Sequence, residues 1–218
     1  MTADILDGEA LLRGAEAETG LADYGDPTLP DRFRLVAAHL QAAGLDAEGR
    51  RAAQRTCHEQ LAARLRFFED RKRHPIADEV IERPIFATGE PRSGTTLLHA
   101  LLSLDPHGRA LRFWELMYPS PPPGLAAPDD PRRAQADEDW RETLRKIPKW
   151  LVNHPYNDML GDGLPECERA WAFDFRHLGR PSGGGCRCRC IWPVCRSTRT
   201  PSTGCTRWCC STASTRDP

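Results

Sequence analysis

The sequence predicts an α/β domain entered through a helical N-terminal region, and three observations carry that prediction. Apolar residues recur every three to four positions between Ile5 and Phe68; a short apolar run without helical period, Ile85-Phe86-Ala87, ends in Gly89; and a hydroxyl-rich turn then leads into leucines at 97, 98, 101, 102 and 104. Helices first, then strand, loop and helix, is the order of a parallel-sheet core with an all-helical entry. The expected divisions are a helical extension over 1–78, the first part of the core over 79–178, and a tail over 179–218.

The helices follow from spacing and punctuation. Ile5, Leu6, Leu11, Leu12 and Ala15 share one face, and Gly20 with the turn at Gly25-Asp26-Pro27 ends that segment. A second helix is expected over Leu35–Ala43, with Phe33, Val36 and Leu40 spaced by three and four. A third is expected over Asp46–Arg73, with Leu61, Leu65 and Phe68 on one side and Pro75 closing it. Such amphipathic helices, rich in Ala, Glu and Arg, are built to dock on a core.

Composition divides the chain differently. The total of 30 Lys and Arg against 31 Asp and Glu gives a formal charge of −1. The first 178 residues hold 23 basic and 30 acidic side chains, whereas the last 40 hold seven Arg, one acidic residue and seven of the nine cysteines. An acidic body argues against nucleic-acid binding. The absence of a long apolar run argues against a membrane span, and the acidic start from Met1 to Glu9 lacks the order of a secretory signal, so a cytoplasmic location is expected. Cys57 and Cys167 are read as buried or neutral thiols, with no disulfide framework and no metal spacing.

Chemistry concentrates after the expected strand at 84–89. Glu90-Pro91-Arg92-Ser93-Gly94-Thr95-Thr96 joins it to the leucine-rich helix. At such a junction the first-turn N–H groups are unpaired and the helix dipole adds positive potential, so an oxyanion binds readily. Arg92 supplies a forked, permanent cation; Ser93, Thr95 and Thr96 supply hydroxyl donors; Gly89 and Gly94 let the backbone approach. The spacing Gly89-x4-Gly94 mimics a nucleotide triphosphatase loop, but Thr95 stands where that loop needs Lys. A nucleotide kinase-like protein is therefore the second reading, and a non-catalytic nucleotide-binding remnant the third.

The string Gly89-Glu90-Pro91-Arg92-Ser93-Gly94-Thr95-Thr96-Leu97-Leu98, followed by Asp105-Pro106, closely resembles the 5′-phosphosulfate loop of sulfotransferases. The flanks Thr19 to Pro27, Ile81-Glu82-Arg83-Pro84, Trp114-Glu115-Leu116 and Pro121-Pro122-Pro123 look like the bacterial branch of that family, and the resemblance runs from about Ile5 to Leu178. It implies a P-loop-like sulfotransferase core and transfer of a sulfuryl group from 3′-phosphoadenosine-5′-phosphosulfate (PAPS) to an acceptor hydroxyl without a metal. It also implies that Pro91, Arg92, Ser93, Gly94, Thr95 and Thr96 hold the cosubstrate, with Arg92 stabilising charge on the departing phosphate.

By comparison with tyrosylprotein sulfotransferases, Glu115 is the candidate general base, at a slightly longer spacing from Pro106; pairing with a nearby Arg such as Arg112 is the alternative role. His99 is a weaker candidate base. Tyr118 to Gly124 reads as an extended loop near the acceptor entrance or a plain rigid connector, and a charged helix is expected over Asp129–Lys146. Leu151 to Asp162, with His154 and Tyr156, reads as loop-rich. Glu166 and Glu168 stand near the expected acceptor side, although two acids in a first helical turn also suit its dipole. Carbohydrate, lipid and other small-molecule hydroxyls all remain open as acceptors.

The tail does not continue this pattern. Of its 40 residues, 34 are Arg, Ser, Thr, Gly, Pro or Cys, which cannot form a core. Cys186-x-Cys188-x-Cys190 and Cys205-x3-Cys209-Cys210 lack paired zinc knuckles. Every Cys and Trp codon begins with TG, so a frame starting one base earlier converts each to NTG, encoding Leu, Met or Val. The nine tail positions so converted then alternate at 186, 188, 190 and 192 like a strand, and fall at 205, 208 and 209 like a helix. A frameshift near Gly179 is expected, which leaves a truncated, incomplete parallel sheet, a disordered out-of-frame tail and little activity; a genuine basic tail is the alternative. The Arg and Ser that hold the 3′-phosphate of PAPS in the family have no counterpart before the tail.

Overall fold

The computed structural model describes residues 6–90, 93–149, 152, 159–166 and 168–176. The chain forms two compact units; among the described residues the first holds 6–74 with 168–176, and the second holds 75–166.

The first unit is helical, as its periodicity predicts. Helix α1 spans Gly8–Thr19 and begins where the Asp7 carboxylate accepts the Glu9 N–H at 2.9 Å; it ends at Gly20, whose φ of +68° is the left-handed cap conformation. Helix α2 spans Leu29–Ala42, starting six residues before the expected Leu35, because a proline in the first helical turn sacrifices only an N–H that has no partner there. Helix α3 spans Ala47–Arg73, and its cap Asp46 accepts the Gly49 N–H at 2.7 Å. Helix α7, Glu168–Phe173, joins this unit.

The apolar stripes meet in one core of Leu12, Ala15, Phe33, Val36, Leu40, Leu61 and Leu65, closed by Phe175 edge-on to Phe33 at 4.8 Å. Cys57 is buried there as a free thiol, and burial pushes it up to about 12, so it stays protonated at neutral pH. Cys167 lies outside the described residues.

An ionic centre lies inside the same unit. Buried Arg32 and Arg64 both reach Asp174, and Arg64 also donates to the Tyr24 carbonyl at 2.8 Å and stacks on Phe68 at 4.8 Å. Gly25 makes that turn possible. Its φ is +74°, and a Cβ there would lie 2.0 Å from the Phe68 ring.

The second unit is built from short elements. A 3-10 turn at Pro75–Asp78 leads to residues 84–89, which take no regular structure; no strand occurs among the described residues, so the expected strand is not formed there. The reason is physical: a strand exists through a ladder partner, and none lies beside this segment among the described residues. Helix α4 follows at Thr95–Leu102 and carries the expected leucines at 97, 98, 101 and 102, with Leu104 beyond its end. Helix α5 covers Phe113–Met117, and α6 covers Pro131–Lys146 after the cap Asp130.

The Tyr118 to Gly124 connector turns at a cis Ser120–Pro121 bond and enters a 3-10 turn at Pro123–Leu125. A further 3-10 turn at Leu160–Asp162 packs on α6, where a Cβ on Gly161 would stand 3.0 Å from that of Ala136. Phe113 lies 4.8 Å from Trp140, ring to ring, so α5 is held on α6. Among the described residues no helix is long and apolar enough to cross a membrane.

Candidate functional site

The loop ahead of α4 has an open helix start. Gly94 adopts φ +90° as the residue preceding the helix, no side chain caps α4, and the Leu98 N–H is bonded to the Gly94 carbonyl at 3.0 Å. That leaves the earlier N–H groups, those of Thr95, Thr96 and Leu97, directed out of the helix end. The positive end of the dipole adds to them. Gly89 closes on this turn: a Cβ there would sit 2.7 Å from Ser93 Oγ and 3.2 Å from Thr95 Cγ2, so only glycine lets the incoming chain lie against the hydroxyl residues. Ser93 and Gly94 are exposed, Thr95 and Thr96 half-buried. Pro91 and Arg92 lie outside the described residues.

Glu115 belongs to the same unit, in α5. Its carboxylate is 6% exposed and doubly engaged: Oε2 accepts the Arg112 backbone N–H at 2.7 Å, and Oε1 takes a close ion pair from Arg109. The first contact is a cap of α5, so this Glu fixes where the short helix begins. The guanidinium that pairs with it is that of Arg109; Arg112 instead donates from Nη1 to the Asp162 carbonyl at 3.2 Å. Only a turn through Asp105 to Gly108, where the Gly108 N–H bonds the Asp105 carbonyl at 3.0 Å, sets where the chain heads for Arg109, and residue spacing did not signal that pairing.

His99 is half-buried on α4, four residues after Thr95 and three after Thr96, hence on their side of the helix. Burial holds its ring below the ordinary imidazole value; the Arg112 cation acts in the same direction and Glu166 opposes it. The ring is thus neutral at pH 7. Of the acids near the expected acceptor side, Glu166 is exposed and close enough to act on His99, while Glu168 opens α7 in the other unit.

Beside α5, Trp114 is buried under two guanidinium groups, Arg133 at 4.6 Å and Arg132 at 5.2 Å from its ring centre. Arg132 also binds Asp130 at 2.8 Å and the Tyr118 carbonyl at 2.8 Å, which ties the connector to the start of α6. These contacts make the Trp114-Glu115-Leu116 string a packed corner rather than an open loop. Among the described residues no group of His, Cys, Asp and Glu is arranged to hold a metal ion.

Comparison with known proteins finds sulfotransferases. The sequence model of the Sulfotransferase family matches residues 84–176, a span that includes the loop, α4, α5 and α6. The fold is similar to the crystal structure of sulfotransferase STF1 from Mycobacterium tuberculosis, at 28% identity and a TM-score of 0.61, covering 77% of this chain and 47% of that one. It is also similar in fold to sulfotransferase STF9 from Mycobacterium avium, at 23% identity and a TM-score of 0.72, covering 97% of this chain and 54% of that one. No curated protein matches the chain. The chain spans about half the length of the solved sulfotransferases it matches. Over residues 84–176 this chain is similar in sequence to the sulfotransferase family.

Proposed function

We propose that this chain carries the phosphosulfate-binding half of an enzyme that transfers a sulfuryl group from PAPS to an acceptor hydroxyl. The observation that supports it most is the uncapped start of α4 behind left-handed Gly94, with Gly89 pressed against Ser93 and Thr95. The N–H groups of that turn and the hydroxyls of Ser93, Thr95 and Thr96 would hold the 5′-phosphosulfate oxygens, and Arg92 would neutralise charge growing on the leaving phosphate.

In the transfer the acceptor oxygen forms a bond to sulfur as the bond from sulfur to the phosphate oxygen breaks. The acceptor proton passes to a base, and 3′,5′-bisphosphoadenosine departs. Positioning and charge stabilisation supply most of the acceleration, as in phosphoryl transfer. Glu115 is the proposed base, its side chain held by Arg109 and the Arg112 N–H. Carbohydrate, lipid and small-molecule hydroxyls fit this chemistry equally, and the setting is proposed as cytoplasmic.

A non-catalytic remnant is the second reading, favoured by the exposed leucines of α4. Calorimetric titration with 3′,5′-bisphosphoadenosine and with ATP plus Mg²⁺, alongside transfer of labelled sulfate from PAPS, tests the proposal. Binding of the bisphosphate that disappears in Arg92→Ala supports a sulfotransferase site; Mg²⁺-dependent ATP binding would instead indicate a kinase-like loop. Bisphosphate binding without transfer would indicate the remnant.

A further inference from the structure

The second unit leaves its most apolar segments uncovered. Ile85 is 75% exposed and Phe86 58%; adjacent side chains of an extended chain point to opposite sides, so neither side of this segment is packed. Helix α4 carries four leucines and an alanine among its eight residues, yet none is buried, and Leu98 and Leu101 are 47% and 58% exposed. The apolar side of a helix ordinarily faces a core. In the first unit the equivalent stripes of α2 and α3 are buried, including Phe33, Val36, Leu61 and Leu65, so the exposure is a property of this face and not of the chain generally. The close approach of Gly89 to Ser93 and Thr95 joins this extended segment to the helix.

Two further observations say what covers it. The solved relatives are about twice as long as the part this chain matches. The codons of the tail, read one base earlier, turn its seven cysteines and two tryptophans into Leu, Met or Val, first at alternating positions 186, 188, 190 and 192, then at 205, 208 and 209 with helical spacing. A strand apolar on one side followed by an amphipathic helix is the complement of an exposed apolar extended segment and an exposed apolar helix side.

We propose that the face of Ile85, Phe86, Leu97, Leu98, Leu101 and Leu102 is the seat of the polypeptide that the same gene encodes from about codon 179 in the frame one base earlier. The proposal rests on the family reading for the expected length and not on the donor or acceptor.

The test compares the chain as given with the product of a gene carrying one inserted base just before codon 179. The expected result is that the restored product binds at least fivefold less of an apolar dye such as anilinonaphthalene sulfonate. The amides of Leu98 to Leu102 should also exchange at least a hundredfold more slowly than in the given chain. Leu98→Arg with Leu101→Arg should reverse that protection in the restored product while leaving the helical circular dichroism of the given chain unchanged. Three results overturn the idea: a stop codon within the tail in the shifted frame, a restored product that does not fold or gains no protection, or concentration-dependent dimers of the given chain with α4 already protected. None of these readouts uses PAPS or an acceptor, so failure of the functional reading would leave them standing.

Discussion

Asp174 lies between two buried arginines, its Oδ1 3.2 Å from Arg32 Nη2 and 3.1 Å from Arg64 Nη1. Arg32 also donates from Nε to the Asp174 carbonyl at 2.9 Å, and Arg64 from Nη1 to the Phe173 carbonyl at 3.2 Å, so α2 and α3 both grip the end of α7. Removing one member leaves buried charge without compensation, which is costlier than replacing the whole set by apolar groups.

Asp174→Ala should therefore destabilise the first unit by about 3–5 kcal/mol. Urea unfolding followed by helical circular dichroism measures it. A change below ~1 kcal/mol would mean that the two arginines find water or other partners at little cost.

Acid should loosen the same centre through Asp26. Burial alone would raise its carboxyl, but hydrogen bonds from Arg32 and Thr28 outweigh burial and bring it from 3.8 to about 2. A depressed folded value means that the unfolded state binds more protons, so the stabilisation is fully present above pH 3.8 and is lost as pH falls through about 2. The loss should be about 2 kcal/mol. The Asp26→Asn chain should show a flatter dependence of the urea midpoint between those limits.

Burial of neutral His99 gives a second pH dependence, in the other unit. Its folded value lies below the ordinary 6.5, so the unit should lose stability as pH falls below that value. His99→Gln should remove that slope. Following the His99 imidazole resonances against pH, together with the urea midpoint, checks both sides of the linkage.

Gly25→Ala should cost about 1–3 kcal/mol, since the added methyl must displace the Phe68 ring and the backbone is left-handed. Phe68 also underlies Arg64, so the measured effect should not add simply to that of Asp174→Ala. A double-mutant unfolding cycle reads the coupling.

At the loop, Gly89→Ala should leave the first unit folded but weaken 3′,5′-bisphosphoadenosine binding about tenfold, as expected when one charge-assisted hydrogen bond is lost. The added methyl would push away Ser93 Oγ, which stands 2.7 Å from the position it would occupy. In a Ser93→Ala background the same change should matter much less. Equal effects in both backgrounds would place the damage elsewhere in the turn.

The helical extension was legible because repeating apolar spacing is a local property: α1 and α3 lie within a few residues of the spans their stripes imply. Helix α2 starts ahead of the expected Leu35 because Pro30 stands in its first turn, where a missing N–H costs nothing. Helix α5 gave no periodic signal; five residues hold together because Glu115 caps them and Phe113 packs on Trp140. For the site, the glycines and hydroxyls of the loop could be read directly, since their chemistry is carried by residue type. The Arg109 partner of Glu115 could not, because it depends on the path of the chain between them.

The amino-acid sequence by itself determined the segment that resembles the sulfotransferases, the glycine- and hydroxyl-rich loop and the helical entry, since each depends on residues adjacent in the chain or one helical turn apart. Only the tertiary structure decided that Asp174 returns to Arg32 and Arg64 across more than a hundred residues, and that Glu115 is sealed by Arg109. It also decided that the apolar side chains of α4 and residues 85–86 are exposed. Burial and ion pairing are set by which distant segments meet, and a strand or an apolar helix becomes part of a core only when a partner surface is present to exclude water from it.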